Sequence, residues 1–416
     1  MSKRSVDILI LSAVALFLAA GVHITQEFRF YNIESNDLFL YDWSHIRTEL
    51  LRTGGLATLM GSFLTQFMRI PFIGTVIVTV LYLLSAHLLY KSLSKLSGGP
   101  VMAGLSFLPV VFLFLCMEND YYRFQGHIAF ILMLTALYAY ASIPKDRLRY
   151  LAGALTVPVL YHAAGSIALV FAVAAVIWDL AANGIKGFRS LICPAVFAIT
   201  AVVYVKASMV SSWEHSLTPF MYYDWPSTYF FPVYAWTMVP LLFLLAWILS
   251  KLKIRLLDSK ISAIAVIILL FFIAGNFYSQ VHSRSYYRLI QEQYWAENED
   301  WDTIIKTADR RQPTFLVSYL NLALAKKGLL VDNFKYYNPQ DLSSLMYPTP
   351  NLKTGLSLQS NVYMAWGYLG SARKAAFDGN VVTPGSRHPR QIQALIKLNL
   401  VLGAHDVAEK YIMLLE

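Results

Sequence analysis

Runs of about 17 to 20 residues with almost no charge recur through the first two thirds of the chain, beginning with residues 8–24 and 70–90. A helix rises about 1.5 Å per residue, so each run is long enough to cross a hydrocarbon layer of about 30 Å. The composition agrees. Apolar residues make up 57% of the 416 and charged residues 14%, with a mean hydropathy of +0.49. A soluble chain would carry roughly 25% charged residues. A cytosolic enzyme, a disordered chain and a disulfide-stapled secreted domain are excluded, and a multi-pass membrane protein is expected.

Hydropathy marks about nine spans: 8–24, 70–90, 100–117, 124–143, 149–161, 165–181, 190–209, 232–250 and 261–280. The fifth and sixth are short, and Pro158 and Gly165 predict a hairpin turning around Tyr161 to Gly165. One long tilted helix is the alternative, and it would move every later span to the other side. Thirteen Lys and Arg fall in the connections on the N-terminal side and five in those opposite. The positive-inside rule then places the N-terminus in the cytoplasm and everything beyond about residue 281 outside. The net charge of +9 is mostly this topology signal, and no nucleic-acid partner is expected. The first run also fits a signal peptide, with Ala19, Ala20 and Gly21 after a basic start. Cys116 and Cys193 fall near opposite faces, too far apart to pair.

Residues 1–280 thus read as a polytopic helical domain, and residues 281–416 as an extracytoplasmic helical domain with TPR-like spacing. Trp301, Ile305, Ala308 and Pro313 follow the second helix of a tetratricopeptide repeat. Leu322-Ala323, then Gly403, Ala408, Ile412 and Leu415, repeat the theme. Generic amphipathic hairpins are the alternative. Residues 338–359, with three prolines and a glycine, predict an irregular insertion. The last apolar-periodic helix runs into Glu416 without a stop signal, so the natural chain is expected to continue with further repeats. Such repeats usually bind other proteins.

Chemistry is expected on the outer face, where the acids concentrate. Glu27 lies just beyond the first span, and Asp37 follows in the same outer segment. Glu118 and Asp120 flank one residue at the end of a span, a spacing at which two carboxylates can share a divalent cation with a phosphate. Arg69 and Arg123 are candidates to clamp a lipid phosphate, and ordinary head-group contacts explain them equally well. His162, at the outer tip of the hairpin, is a candidate to meet the same phosphate. Residues 54–68 are apolar but too short to cross, and with residues 42–52 they suggest a first outer loop lying along the membrane surface.

Two resemblances follow from these residues. Gly54-Gly55-Leu56, Phe63-Leu64-Thr65-Gln66-Phe67 and Gly74, with Trp301 to Ala308 and Asn321 to Gly328 in the tail, resemble an uncharacterised family of bacterial multi-pass membrane proteins with a repeat-containing tail. The membrane half also resembles GT-C glycosyltransferases that use polyprenyl-phosphate sugars. Those carry an essential acid, usually an aspartate, after the first span, and a second acidic motif in the next outer loop. Glu27 and Glu118-x-Asp120 fall at these places. The resemblance implies transfer of a sugar from a lipid phosphate to an acceptor. Glu27 or Asp37 would be the base, Glu118 and Asp120 would position the phosphate through a metal or a water, and Arg123 would offset leaving-group charge. The rival expectation is a non-catalytic envelope scaffold whose tail recruits partner proteins. A transporter is disfavoured by the scarcity of charge inside the spans.

Overall fold

The computed structural model describes residues 3–96, 99–223, 231–252, 259–337, 344–345 and 353–415. Among them the chain is all-helical, with one isolated antiparallel bridge between Tyr122 and Tyr223 and no strand. It divides into two compact units. The first comprises Met1–Thr25, Tyr41–Thr65 and Phe72–Val281; the second comprises Gln26–Leu40, Gln66–Pro71 and His282–Glu416.

Helix α1 (Lys3–Ser35) corrects the expected end of the first span. The apolar run stops near Ile24, but residues 25–35 contain neither glycine nor proline, so nothing stops the helix there. Glu27 and Glu34 therefore stand on a helix and not in a loop.

The first unit continues with α2 (Trp43–Leu50), α3 (Gly55–Thr65), α4 (Ile73–Leu93), α5 (Val101–Leu105), α6 (Leu108–Cys116) and α7 (Gln125–Ser142). It ends with α8 (Asp146–Ala164), α9 (Ala168–Asn183), α10 (Ile192–Lys206), α11 (Trp213–Leu217), α12 (Phe231–Leu252) and α13 (Lys260–Val281). The carboxylate of Asp42 caps α2 by accepting from the His45 amide at 3.2 Å. The span expected over 100–117 is broken between α5 and α6, where Pro109 occupies the first turn of α6. Among the described residues five stretches are able by length and composition to cross a membrane, fewer than the nine expected: Leu11–Ser35, Ile73–Leu93, Asp146–Lys206, Phe231–Leu252 and Lys260–Val281. The chain is accordingly membrane-associated.

The 61-residue stretch Asp146–Lys206 is α8, α9 and α10 folded against one another, not one rod. The break falls at Gly165, whose φ of +72° ends α8. An ion pair proves the reversal. Arg149 Nη2 and Nε lie 2.8 and 3.0 Å from Asp179 Oδ1, thirty residues on. A straight helix would hold them about 45 Å apart. Asp146 at 2.7 Å, Asn183 at 3.1 Å, the Tyr140 hydroxyl and the Trp178 ring complete this buried cluster. Cys116 and Cys193 are both free thiols, and both are buried.

The second unit contains α14 (Arg284–Glu297), α15 (Trp301–Thr307), α16 (Thr314–Lys326) and α17 (Leu330–Asn333). Helices α18 (Lys353–Ala365), α19 (Leu369–Val382), α20 (Pro389–Val401) and α21 (His405–Ile412) follow. One joint recurs four times. A residue in the left-handed region (Glu299, Gly328, Gly367 or Gly403) ends the leading helix. The amide of the next residue then reaches back to the carbonyl five positions earlier: Asp300 to Trp295 and Ala404 to Asn399 at 2.8 Å, Leu329 to Leu324 at 2.8 Å, and Tyr368 to Tyr363 at 2.9 Å. This cap turns the chain directly into the following helix. Leu289, Leu316, Tyr319, Leu322, Leu358 and Val362 form one core between the hairpins. Of the irregular insertion expected over 338–359, the part from Lys353 onward is helical, because it belongs to α18. Residues 338–343 and 346–352 lie outside the described residues.

Candidate functional site

The first unit gathers four segments that are remote in sequence. The α2–α3 turn meets the hairpin tip through the Gly54 amide, which donates to the His162 carbonyl at 2.7 Å. Gly54 has a φ of +75°, and an added Cβ would come 2.8 Å from the Met221 methyl, so the two consecutive glycines suit this joint. The hairpin tip in turn meets the segment after α10. Tyr161 and Ser216 hydroxyls lie 2.6 Å apart, the Ser166 hydroxyl donates to the Thr218 carbonyl at 2.6 Å, and the Tyr222 hydroxyl donates to the Ala164 carbonyl.

The same tyrosine fixes the acidic turn. The Arg123 amide donates to the Tyr222 carbonyl at 3.0 Å, and Tyr122 pairs with Tyr223 as an antiparallel bridge. Within the turn, the Asn119 side chain accepts from the Tyr121 amide at 3.0 Å and its carbonyl accepts from Tyr122 at 3.0 Å, a side-chain-supported turn of the kind asparagine favours. Glu118 and Asp120 flank that asparagine, and both are half-buried. The guanidinium charge of Arg123 reaches the Tyr222 hydroxyl and partly offsets the burial that pushes its titration far upward. Beneath the turn, His127 is buried among the rings of Tyr82, Tyr122 and Phe124 at centroid distances of 5.7, 5.3 and 5.3 Å.

Of the residues singled out from sequence, Glu118, Asp120, Arg123 and His162 thus belong to segments joined in the first unit. Glu27, Asp37 and Arg69 cluster with the second. Glu27 and Arg69 are exposed, and Asp37 is half-buried. His162 is engaged on both sides. The Leu50 carbonyl at 2.9 Å can only accept, so Nε2 carries a proton towards it, and Nδ1 faces the Tyr204 hydroxyl at 3.1 Å. Asp224, directly after Tyr223, lies outside the described residues.

Among the described residues no three His, Cys, Asp or Glu side chains group as a metal site. Glu118 and Asp120 offer two carboxylates. That number does not make a closed cage, but it suits a magnesium ion that keeps waters and takes phosphate oxygens.

Sequence reasoning did not mark Tyr222, which joins the acidic turn to the hairpin tip. Its neighbours Tyr223, Trp225 and Tyr229 look equally suited to a membrane-interface belt, so no local signal sets it apart. It also missed the tie in the second unit. Arg390 lies with its Nη2 2.7 Å from Glu34, donates to the Tyr31 carbonyl and covers the Tyr31 ring at 3.2 Å from the centroid. The Tyr31 hydroxyl donates to Glu297.

The chain matches a family of unknown function, DUF6057, over residues 2–416, and it belongs to that family. No curated protein and no solved structure matches it.

Proposed function

We propose that this family member is a GT-C-like membrane glycosyltransferase. In this reading about nine spans hold it in a bacterial inner membrane, with the N-terminus cytoplasmic and the acidic turn facing the periplasm. The observation that carries the reading is the acidic turn itself: Glu118, Asp120 and Arg123 stand on one turn that Tyr222 clamps to the hairpin tip. A polyprenyl-phosphate sugar is the donor. The bond between the anomeric carbon and the phosphate oxygen breaks, a bond from that carbon to an acceptor oxygen forms, and the acceptor proton passes to a carboxylate. Glu118 and Asp120 orient the phosphate, directly or through a divalent cation, and a cation there would supply charge neutralisation. Arg123 offsets the charge left on the departing phosphate. His162 holds the hairpin tip in place.

The test is sugar transfer from a synthetic polyprenyl-phosphate sugar by protein reconstituted in lipid. Glu118→Gln and Asp120→Asn are expected to lower turnover by about 100-fold or more, with unchanged expression and unfolding midpoint. Wild-type rates in both variants would dismiss the assignment.

A second reading is favoured by the four identical joints between helices in the second unit. TPR-like hairpins of this kind present side chains to partner proteins, so the tail would make the chain an envelope scaffold. Crosslinking in cells separates the two readings. A scaffold loses its captured partners when residues 282–416 are deleted and keeps them when Glu118 and Asp120 are neutralised.

A further inference from the structure

Helices α2 and α3 bury polar or small side chains and expose several large apolar ones, although α2 also exposes Ser44, Arg47 and Thr48. Helix α2 buries His45 and Glu49 while Trp43 is 70% and Leu51, just beyond its end, 63% exposed. Helix α3 buries Gly55, Ala57, Leu59, Gly61, Ser62 and Thr65, mostly small or polar, and exposes the larger Leu56, Met60 and Phe63, which share one helical face at spacings of four and three. A helix on a soluble surface has the opposite pattern.

The placement of α3 explains the inversion. At its start, Gly54 is bonded to His162 near the C-terminal end of α8. Seven residues later Gly61 rests on Gln125, the first residue of α7, so closely that a Cβ would come within 2.7 Å of the Gln125 side chain. Helices α7 and α8 pack together and are joined by only residues 143–145, so residues 125 and 162 stand at the same end of that pair. Helix α3 therefore crosses the ends of two apolar helices instead of running alongside them. That is the level at which membrane-embedded helices leave the hydrocarbon.

We propose that α2 and α3 form an interfacial anchor whose stripe of Trp43, Leu51, Leu56, Met60 and Phe63 sits in phospholipid acyl chains just beneath the headgroups. Helix α8, whose end α3 crosses, likewise exposes Leu151, Leu155 and Val159, and tryptophan favours the depth just beneath the headgroups. The charges along the segment cancel. Asp42 and Glu49 balance Arg47 and Arg52, and Arg52 lies 2.9 Å from Glu49. Apolar area drives the insertion, with no preference for anionic lipid. None of this depends on the activity proposed above.

The test uses the full chain in lipid nanodiscs, carrying Leu51→Cys, Met60→Cys or, as a control in the second unit, Val331→Cys, each labelled with an environment-sensitive fluorophore. Cys116 and Cys193 are buried and stay unlabelled, whereas Val331 is 91% exposed. Labels at 51 and 60 are expected to emit at short wavelength. Phospholipid brominated in the upper acyl chain is expected to quench them equally in zwitterionic and anionic discs, and to leave the label at 331 unquenched. Water-like emission at 51 and 60 overturns the proposal. So does short-wavelength emission that brominated lipid does not quench, with crosslinks between copies, since the stripe would then be covered by a second chain. Quenching restricted to anionic discs overturns the charge-neutral mechanism.

Discussion

Each unit is tied by one arginine, and the two ties differ in how deeply the principal acid is buried. In the first unit Arg149 and Asp179 close the base of a helical hairpin, both almost wholly buried, with Tyr140 and Asn183 donating to Asp179 and Arg149 donating also to Asp146 and the Ile143 carbonyl. In the second, Arg390 bridges α20 to residues 31–34, stacking on the Tyr31 ring and meeting Glu34, with Glu297 3.7 Å from its Nε. The first tie also has a ring face, Trp178, and a backbone carbonyl, Ile143, but its central pair is closed to solvent. The second has the same kinds of partner, a ring face, a backbone carbonyl and two acids, but Glu34 and Glu297 both keep some exposure. A charge pair matters most where no water can replace a lost partner.

The sharpest way to break this comparison is to remove one arginine at a time. Arg149→Leu leaves Asp179 buried without its counter-charge and is expected to cost about 3–5 kcal/mol. The double variant Arg149→Leu with Asp179→Leu should recover most of that loss. Chemical unfolding in detergent micelles reads both, and an unchanged midpoint for the single variant would mean that water reaches the pair.

A buried carboxyl sharpens the contrast from the tail. Glu292 is fully buried, with Arg288 3.1 Å from one oxygen. Burial pushes its carboxyl up to about 8 from an ordinary 4.5, against the pull of Arg288. The folded chain therefore keeps this proton up to about pH 8, while the unfolded chain releases it near 4.5. Stability should fall as pH rises between those values, by about 2–3 kcal/mol from pH 6 to pH 8. Glu292→Gln should flatten that slope in a pH series of thermal unfolding. An identical slope in the variant would assign the dependence to other groups.

The smallest effect is expected at the second arginine. Arg390→Ala removes a cation over a ring and a partly exposed ion pair, about 1–2 kcal/mol together. A double-mutant cycle with Glu34→Ala isolates the ionic share, and a coupling as large as the loss at Arg149 would erase the distinction between the two ties.

Legibility follows the same division. The hairpin of α8 and α9 was readable because Pro158, Gly165 and the spacing of Arg149 from Asp179 are local signals along one stretch. The joints at Gly328 and Gly403 were readable too, since a glycine after an apolar-periodic helix marks its end. Glu299 takes the same backbone conformation without being glycine, so its joint carried no such mark. The end of the first span was misjudged because hydropathy reports where lipid contact stops, and a helix stops only where the backbone is interrupted. The acidic turn was visible as Glu118-x-Asp120, but the residue that clamps it, Tyr222, lies about a hundred positions away among other aromatics.

By itself the order of residues determined that this chain is helical and membrane-associated, and where charge gathers along it. Those properties depend on neighbours within a turn or a span, where periodicity and hydropathy act directly. Only the tertiary structure decided that Gly54 bonds to His162 and Tyr222 to both Ala164 and Arg123, that Arg390 answers Glu34, and that α3 lies across helix ends. Such pairings depend on which surfaces remain to be matched once every helix has formed, and no local pattern encodes that choice.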